Sequence, residues 1–217
     1  MIEDSKETKK HTTIKFLIYF LYVMHFFGVI GILSDFRETF LDLTPLTILI
    51  TFIIIIYSIP NRNKTTIICI STAFVIGFIA EYLGVNYGLI FGKYTYGDNL
   101  GPKILGVPPL IGINWAILSY CTATMTSFMK INTFVKAVTG ALLMTSIDLF
   151  IEPVAPKTDY WYFEAGIAPV QNYFGWFFVS LIVQIVFQRS DFSKNFYVAN
   201  NVLVVQTLFF VLLNIII

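Results

Sequence analysis

The chain has 217 residues, 57% of them hydrophobic and only 12% charged, with 22 Phe, 12 Tyr and a formal net charge of +1. Its mean hydropathy of +0.77 excludes a water-soluble globular domain, and its near-neutral charge gives no footing for nucleic-acid binding. Both cysteines, Cys69 and Cys121, fall inside apolar runs and supply no disulfide framework.

In chain order, seven stretches are long and apolar enough to cross a hydrocarbon core of about 30 Å, some near the lower limit. They are 14–33, 45–59, 66–90, 109–129, 133–151, 173–187 and 198–217. The first follows a Lys-rich head, "DSKETKKHTTIK", whose acids and lack of a small-residue cleavage pattern predict a retained helix rather than a signal peptide. His25, within that first span, reads either as a hydrogen bond to a neighbouring helix or as a functional group. The links are short, with no Pro/Ser-rich linker or repeat. The expected fold is therefore an all-α integral membrane protein, a bundle of about seven transmembrane helices forming a single domain over 1–217, with 1–13 as a polar cytoplasmic head.

Lys and Arg in short loops stay on the cytoplasmic side. Lys6, Lys9, Lys10, Lys15, Arg62, Lys64, Lys130, Lys136, Arg189 and Lys194 fall on one side, against Arg37, Lys93, Lys103 and Lys157 on the other. The expectation is an amino terminus inside, a carboxyl terminus outside and a multi-pass position in the cell membrane. In that orientation the polar residues of the spans gather toward the outer leaflet. Glu81 lies in the outer half of the third span, Asn114 and Trp115 open the fourth, Asp148 and Glu152 close the fifth, and Asn172 and Trp176 open the sixth. The two longest connections emerge there too, carrying Tyr94, Tyr96, Asp98, Asp159, Trp161, Tyr162 and Glu164.

Gly77, Gly84, Gly88 and Gly92 share a helical face with Glu81 if the third helix continues through them, and small residues in that rhythm let helices approach closely. Asp148 and Glu152, one turn apart, share another face. Ionisable groups inside a membrane are costly enough to be functional candidates, Glu81 and Asp148 foremost. Glu152, near the interface and followed by Pro153, also fits a solvated helix end.

Two histidines are too few for a His-rich di-iron site. No Gly-rich nucleotide loop follows a strand, no paired Asp-rich magnesium motif is present, and the last span, "VLVVQTLFFVLLNIII", lacks a Schiff-base lysine. The residues leave cofactor-free and metal-free acid–base chemistry, or no chemistry.

The segments "DLTPLTILI", "AEYLGVNYGLIFGKYTYGDNLG", "GVPPLIGINW", "DLFIEPVA" and "NYFGW", in that order across most of 42–176, resemble the carotenoid biosynthesis membrane family that includes the carotenoid 1,2-hydratases and bisanhydrobacterioruberin hydratase. The resemblance implies addition of water across the terminal double bond of an acyclic carotenoid such as lycopene or a bacterioruberin precursor, leaving a tertiary alcohol. It also implies residence in a lipid bilayer and association with other carotenoid enzymes.

Such a reaction needs a carboxylic acid that stays protonated near neutral pH, which burial and a neighbouring carboxylate both favour. Glu81 and Asp148 are the expected pair of catalytic acids, with Glu152 as a third candidate. Tyr94, Tyr96, Asn114, Trp115, Trp161, Asn172 and Trp176 are the candidates for binding substrate and for stabilising a cation with aromatic faces. Three readings stand beside it: a cyclase starting from the same protonation, a proton-coupled transporter, and a non-catalytic carotenoid-binding protein that needs the aromatics but not the acids.

Overall fold

A computed structural model describes residues 2–60 and 64–217, with side chains from Thr8 onward; Arg62 and the Lys6 side chain, both used in the orientation argument, lie outside the described residues. Among the described residues the elements run α1 (Ile2–Ile32), α2 (Arg37–Leu41), α3 (Thr44–Ser58), α4 (Lys64–Tyr87), β1 (Tyr94–Tyr96), α5 (Pro109–Ser127), α6 (Thr133–Ile151), a single 3-10 turn (Ala155–Thr158), β2 (Trp161–Phe163), α7 (Val170–Arg189) and α8 (Phe196–Ile216). The molecule is an all-α membrane bundle. Each predicted span matches a helix to within a few residues, except that α1 runs back through the polar head.

Six of the seven long helices are apolar enough to cross a bilayer by composition; α5 is not among them. The reason is its place in the bundle. It packs against α3, α4, α6, α7 and α8, and Trp115 through Thr124 are all buried. A helix enclosed by helices meets no lipid, so it tolerates hydroxyls: Thr122 and Thr126 donate to carbonyls of their own helix, at 2.7 Å to Leu118 and 2.9 Å to Thr122. Connectivity still carries α5 across. The end of α4, the start of α5, the end of α6 and the start of α7 converge at one end, here termed the lid end.

Helix boundaries follow local chemistry. Asn132 caps α6 by accepting from the Val135 N–H at 2.9 Å, and Asn195 caps α8 by accepting from the Val198 N–H at 3.1 Å. Pro109 opens α5, where a missing N–H costs nothing. The third predicted span is too long. α4 stops at Tyr87, because Gly88 (φ 66°) and Gly92 (φ 95°) take left-handed turns that send the chain back over the helix end. Those two glycines therefore do not share a helical face with Glu81. Gly77 and Gly84 do, and both permit close packing: a Cβ on Gly77 would meet Trp115 Cγ at 2.3 Å, and one on Gly84 would meet Tyr94 at 2.8 Å.

The two lid-end connections, read from the sequence as loops, pair with each other. β1 and β2 run antiparallel in the register Tyr94↔Phe163, Thr95↔Tyr162 and Tyr96↔Trp161. The pleat turns Tyr94, Tyr96 and Trp161 inward and leaves Thr95 and Tyr162 exposed. Asp159 locks this lid: its Oδ2 accepts the Asp98 N–H at 2.8 Å and the Asn99 N–H at 3.2 Å. At the opposite end, Lys10 Nζ donates to the Ile59 carbonyl and Asn195 to the Ser58 carbonyl, binding the start of α1, the end of α3 and the α7–α8 turn together. That basic end has an aliphatic core built on Ile18, Leu21, Ile54 and Val202, whereas the core under the lid is aromatic, built on Phe91, Tyr94, Tyr96, Trp115, Trp161 and Trp176.

Candidate active site

Glu81 stands on α4 six residues before its end, 3% exposed. Its Oε1 accepts the Trp115 indole N–H at 2.9 Å. Its Oε2 accepts the Tyr96 hydroxyl at 2.7 Å and also that of Tyr94. Burial, followed by the nearby Glu81 charge, pushes both tyrosines well above their ordinary pKa, so each keeps its proton and donates. Three donors thus converge on one carboxyl and engage both of its oxygens.

The second group of acids is held by α7. Asn172, in its first turn, directs one buried amide nitrogen at two carboxyls, donating to Asp148 Oδ2 at 3.1 Å and to Glu152 Oε1 at 2.7 Å. Trp161, on the lid strand, donates its indole N–H to Glu152 Oε2 at 3.1 Å. Asp148 is wholly buried, and its Oδ1 has no hydrogen-bond partner among the described residues. Glu152 sits one residue past the α6 span. Burial pushes its carboxyl up to about 7, with Trp161 and Asn172 pulling the other way and the Glu81 charge adding to the rise. It therefore carries a proton for a large part of the time at neutral pH.

Glu81 and Glu152 face one small cavity of about 10 Å³, lined also by Phe91, Tyr94, Tyr96, Ile111, Trp161, Phe163, Asn172 and Trp176. Asp148 does not line it; it lies behind Asn172. Trp115 and Trp176 stack with centroids 4.2 Å apart and planes 11° from parallel, and Phe91 leans on both. Ile111 and Trp161 also line a second, larger cavity of about 90 Å³, open at its mouth, between α1, α3, α5 and α8. The two spaces are thus separated by those two side chains. Among the described residues no three His, Cys, Asp or Glu side chains converge as metal ligands would.

Of the residues singled out from the sequence, Glu81, Asp148, Glu152, Tyr94, Tyr96, Trp115, Trp161, Asn172 and Trp176 come together beneath the lid. Asn114 does not. It points into the larger cavity, as does His25, whose Nδ1 bonds its own helix at the Leu21 carbonyl, 2.8 Å away, rather than another helix. Asp98 and Glu164 stay on the exposed rim, paired with Lys103 at 2.9 Å and Lys93 at 3.8 Å. Phe91, Ile111 and Phe163 line the acid cavity without having been singled out. Phe91 lies beyond the end of α4, where no helical period marks it, and the other two resemble any apolar residue of a span or loop.

The sequence model described as "Carotenoid biosynthesis protein" matches residues 43–217. A segment of 116 residues is 28% identical to a bisanhydrobacterioruberin hydratase of Haloarcula japonica, covering 49% of this chain and 39% of that protein. The match thus spans well under half the length of that relative. No solved structure matches.

Proposed function

The chain belongs to the carotenoid biosynthesis protein family, and from that premise we propose that it is an enzyme adding water to the terminal double bond of an acyclic carotenoid in the cell membrane. The observation that carries this reading is the pairing of Glu81 and Glu152 on one aromatic-lined cavity, the first held by three hydrogen-bond donors and the second able to carry a proton near neutral pH.

Protonation of an isolated alkene is the difficult step. Glu152 delivers its proton to the less substituted alkene carbon; the π electrons form the new C–H bond and leave a tertiary cation. Trp161, Trp176 and Phe91 offer ring faces to that cation, each worth about 2 kcal/mol where water is excluded. A water oxygen then bonds to the cationic carbon, and its surplus proton passes to Glu81 as general base. Proton return from Glu81 to Glu152 restores the starting state, so no cofactor is consumed. Asn172 and Asp148 hold Glu152 in place from behind.

The larger cavity suits the polyene, with Phe40, Ile48, Phe209 and Phe210 as an apolar wall and the Ile111–Trp161 boundary as the way to the acids.

The test is expression in a host that accumulates lycopene, followed by mass analysis of pigments. A gain of one water per reacted end, lost in Glu152→Gln, is expected. An isomeric product bearing a ring and no added water would replace this reading with cyclisation, and unchanged pigment would refute it for that substrate.

A further inference from the structure

The larger cavity carries polar groups that a hydrocarbon does not need. His25, Thr51 and Gln206 lie on α1, α3 and α8, and Asn114 lies on α5 one turn beyond Ile111. Counting 1.5 Å per residue from the lid-side helix ends, all four sit roughly 8–15 Å below the lid, at the inner floor of the space. Thr51 is satisfied by its own helix, donating to the Thr47 carbonyl at 2.8 Å. The others are not. Gln206 is 8% exposed and its buried Oε1 has no partner. The Asn114 amide makes no hydrogen bond among the described residues. His25 uses Nδ1 as donor to the Leu21 carbonyl, which leaves Nε2 of that tautomer as an acceptor.

Two amides and an imidazole nitrogen left unpaired at the centre of a membrane bundle are costly unless something polar binds them. A buried water needs room and two to four polar partners, and this floor has both. We infer that Asn114, Gln206 and His25 hold water at the cavity floor, and that this water is the nucleophile that captures the cation in the adjoining acid cavity. The inference rests on the proposed hydration. It makes these three positioning residues that decide the fate of the cation. With water seated one helical turn from Ile111, the cation gains a C–O bond. Without it, the cation loses a proton from the carbon that has just been protonated and the alkene re-forms, keeping solvent-derived hydrogen in those turnovers where the departing proton is the one that carbon carried before.

Two measurements test this on the full chain in lipid nanodiscs. X-ray radiolysis converts bound water to hydroxyl radical, so Met24, which lines the same cavity, should be oxidised in the absence of any carotenoid. Its labelling should fall at least about fivefold in Asn114→Leu and in Gln206→Met, each removing one of the few partners a buried water requires. Labelling equal to that of the native chain in both variants would overturn the water site, whether or not the protein hydrates anything.

The second measurement is turnover of an acyclic carotenoid in D₂O, scoring alcohol formed and deuterium incorporated into recovered alkene. In either variant, alcohol should fall by about tenfold or more, the lower range for a lost positioning contact, while deuterium incorporation persists. Parallel loss of both would show damage to the acid site or the fold and overturn the assignment, as would unchanged alcohol. If the native chain forms no alcohol while Met24 labelling behaves as expected, the hydration reading fails and the water site stands.

Discussion

Trp161→Phe isolates one hydrogen bond. The indole N–H donates to Glu152 Oε2 at 3.1 Å, while the ring packs against Tyr96 and Tyr160 at centroid distances of 6.1 and 6.0 Å. Phenylalanine keeps an aromatic face at that position and deletes only the donor. The bond stabilises ionised Glu152, and a hydrogen bond to a charged group is worth about 1.5–3 kcal/mol. One pKa unit corresponds to about 1.4 kcal/mol, so losing the donor should raise the Glu152 pKa from about 7 by one to two units. The sign for activity follows from the acid's role. Glu152 works protonated, so rate is retained below its pKa and lost as pH rises through it. A higher pKa moves that alkaline limb upward, and Trp161→Phe should be more active than the native enzyme above the native limb. On the acid side of the limb the weaker cation–π face of phenylalanine should cost about 0.5–1 kcal/mol, a two- to fivefold loss. The assay is the pH dependence of kcat on an acyclic carotenoid in nanodiscs. A limb that stays in place, or moves to lower pH, would refute Glu152 as the proton donor.

Glu81→Gln should lower kcat by at least about 10²-fold, the usual lower worth of a general base, whereas Asp148→Asn, acting from behind Asn172, should cost about tenfold; equal retention of activity in both would leave these carboxyls as structural groups. Gly77→Val should lower the stability of the bundle, since even its Cβ would sit 2.3 Å from Trp115 Cγ, and overpacking of this kind costs roughly 1–3 kcal/mol or more; an unchanged thermal unfolding midpoint in detergent would refute the close packing. Asp98→Cys and Lys157→Cys should react with membrane-impermeant maleimide from outside intact cells and Lys194→Cys only after lysis; the reverse pattern would invert the orientation. The product hydroxyl should take ¹⁸O from labelled water, and label from molecular oxygen would exclude hydration.

Much of the fold was legible in the sequence because a bilayer makes secondary structure a local matter. With no water in the hydrocarbon core, each crossing segment must satisfy its own backbone, so about twenty apolar residues specify a helix wherever they occur. The same reasoning brought Glu81, Trp115, Asp148, Asn172 and Trp176 to one end, since counting crossings is enough to say which helix ends meet. It said nothing of lateral neighbours. That α5 is the enclosed centre, and for that reason the least lipid-like of the long helices, depends on packing among five others.

Tertiary structure alone decided which of these side chains meet. Two connections 60-odd residues apart pair as β1 and β2, and only that register turns Tyr94 and Tyr96 onto Glu81 and Trp161 onto Glu152. Asn172 links Asp148 to Glu152 from a different helix, which makes Glu152 the acid facing the cavity and places Asp148 behind it. Asn114 follows Ile113 and precedes Trp115 in sequence, yet a rotation of about 100° per residue sends Asn114 into the larger cavity and Trp115 to Glu81. The sequence by itself determined which segments cross the membrane and which ends carry acids, because hydrocarbon thickness and backbone hydrogen bonding act on each segment separately. Which acid faces the cavity, which is held behind it, and where polar groups stand unpaired were decided by contacts between segments distant in the chain, and these exist only once the helices have packed.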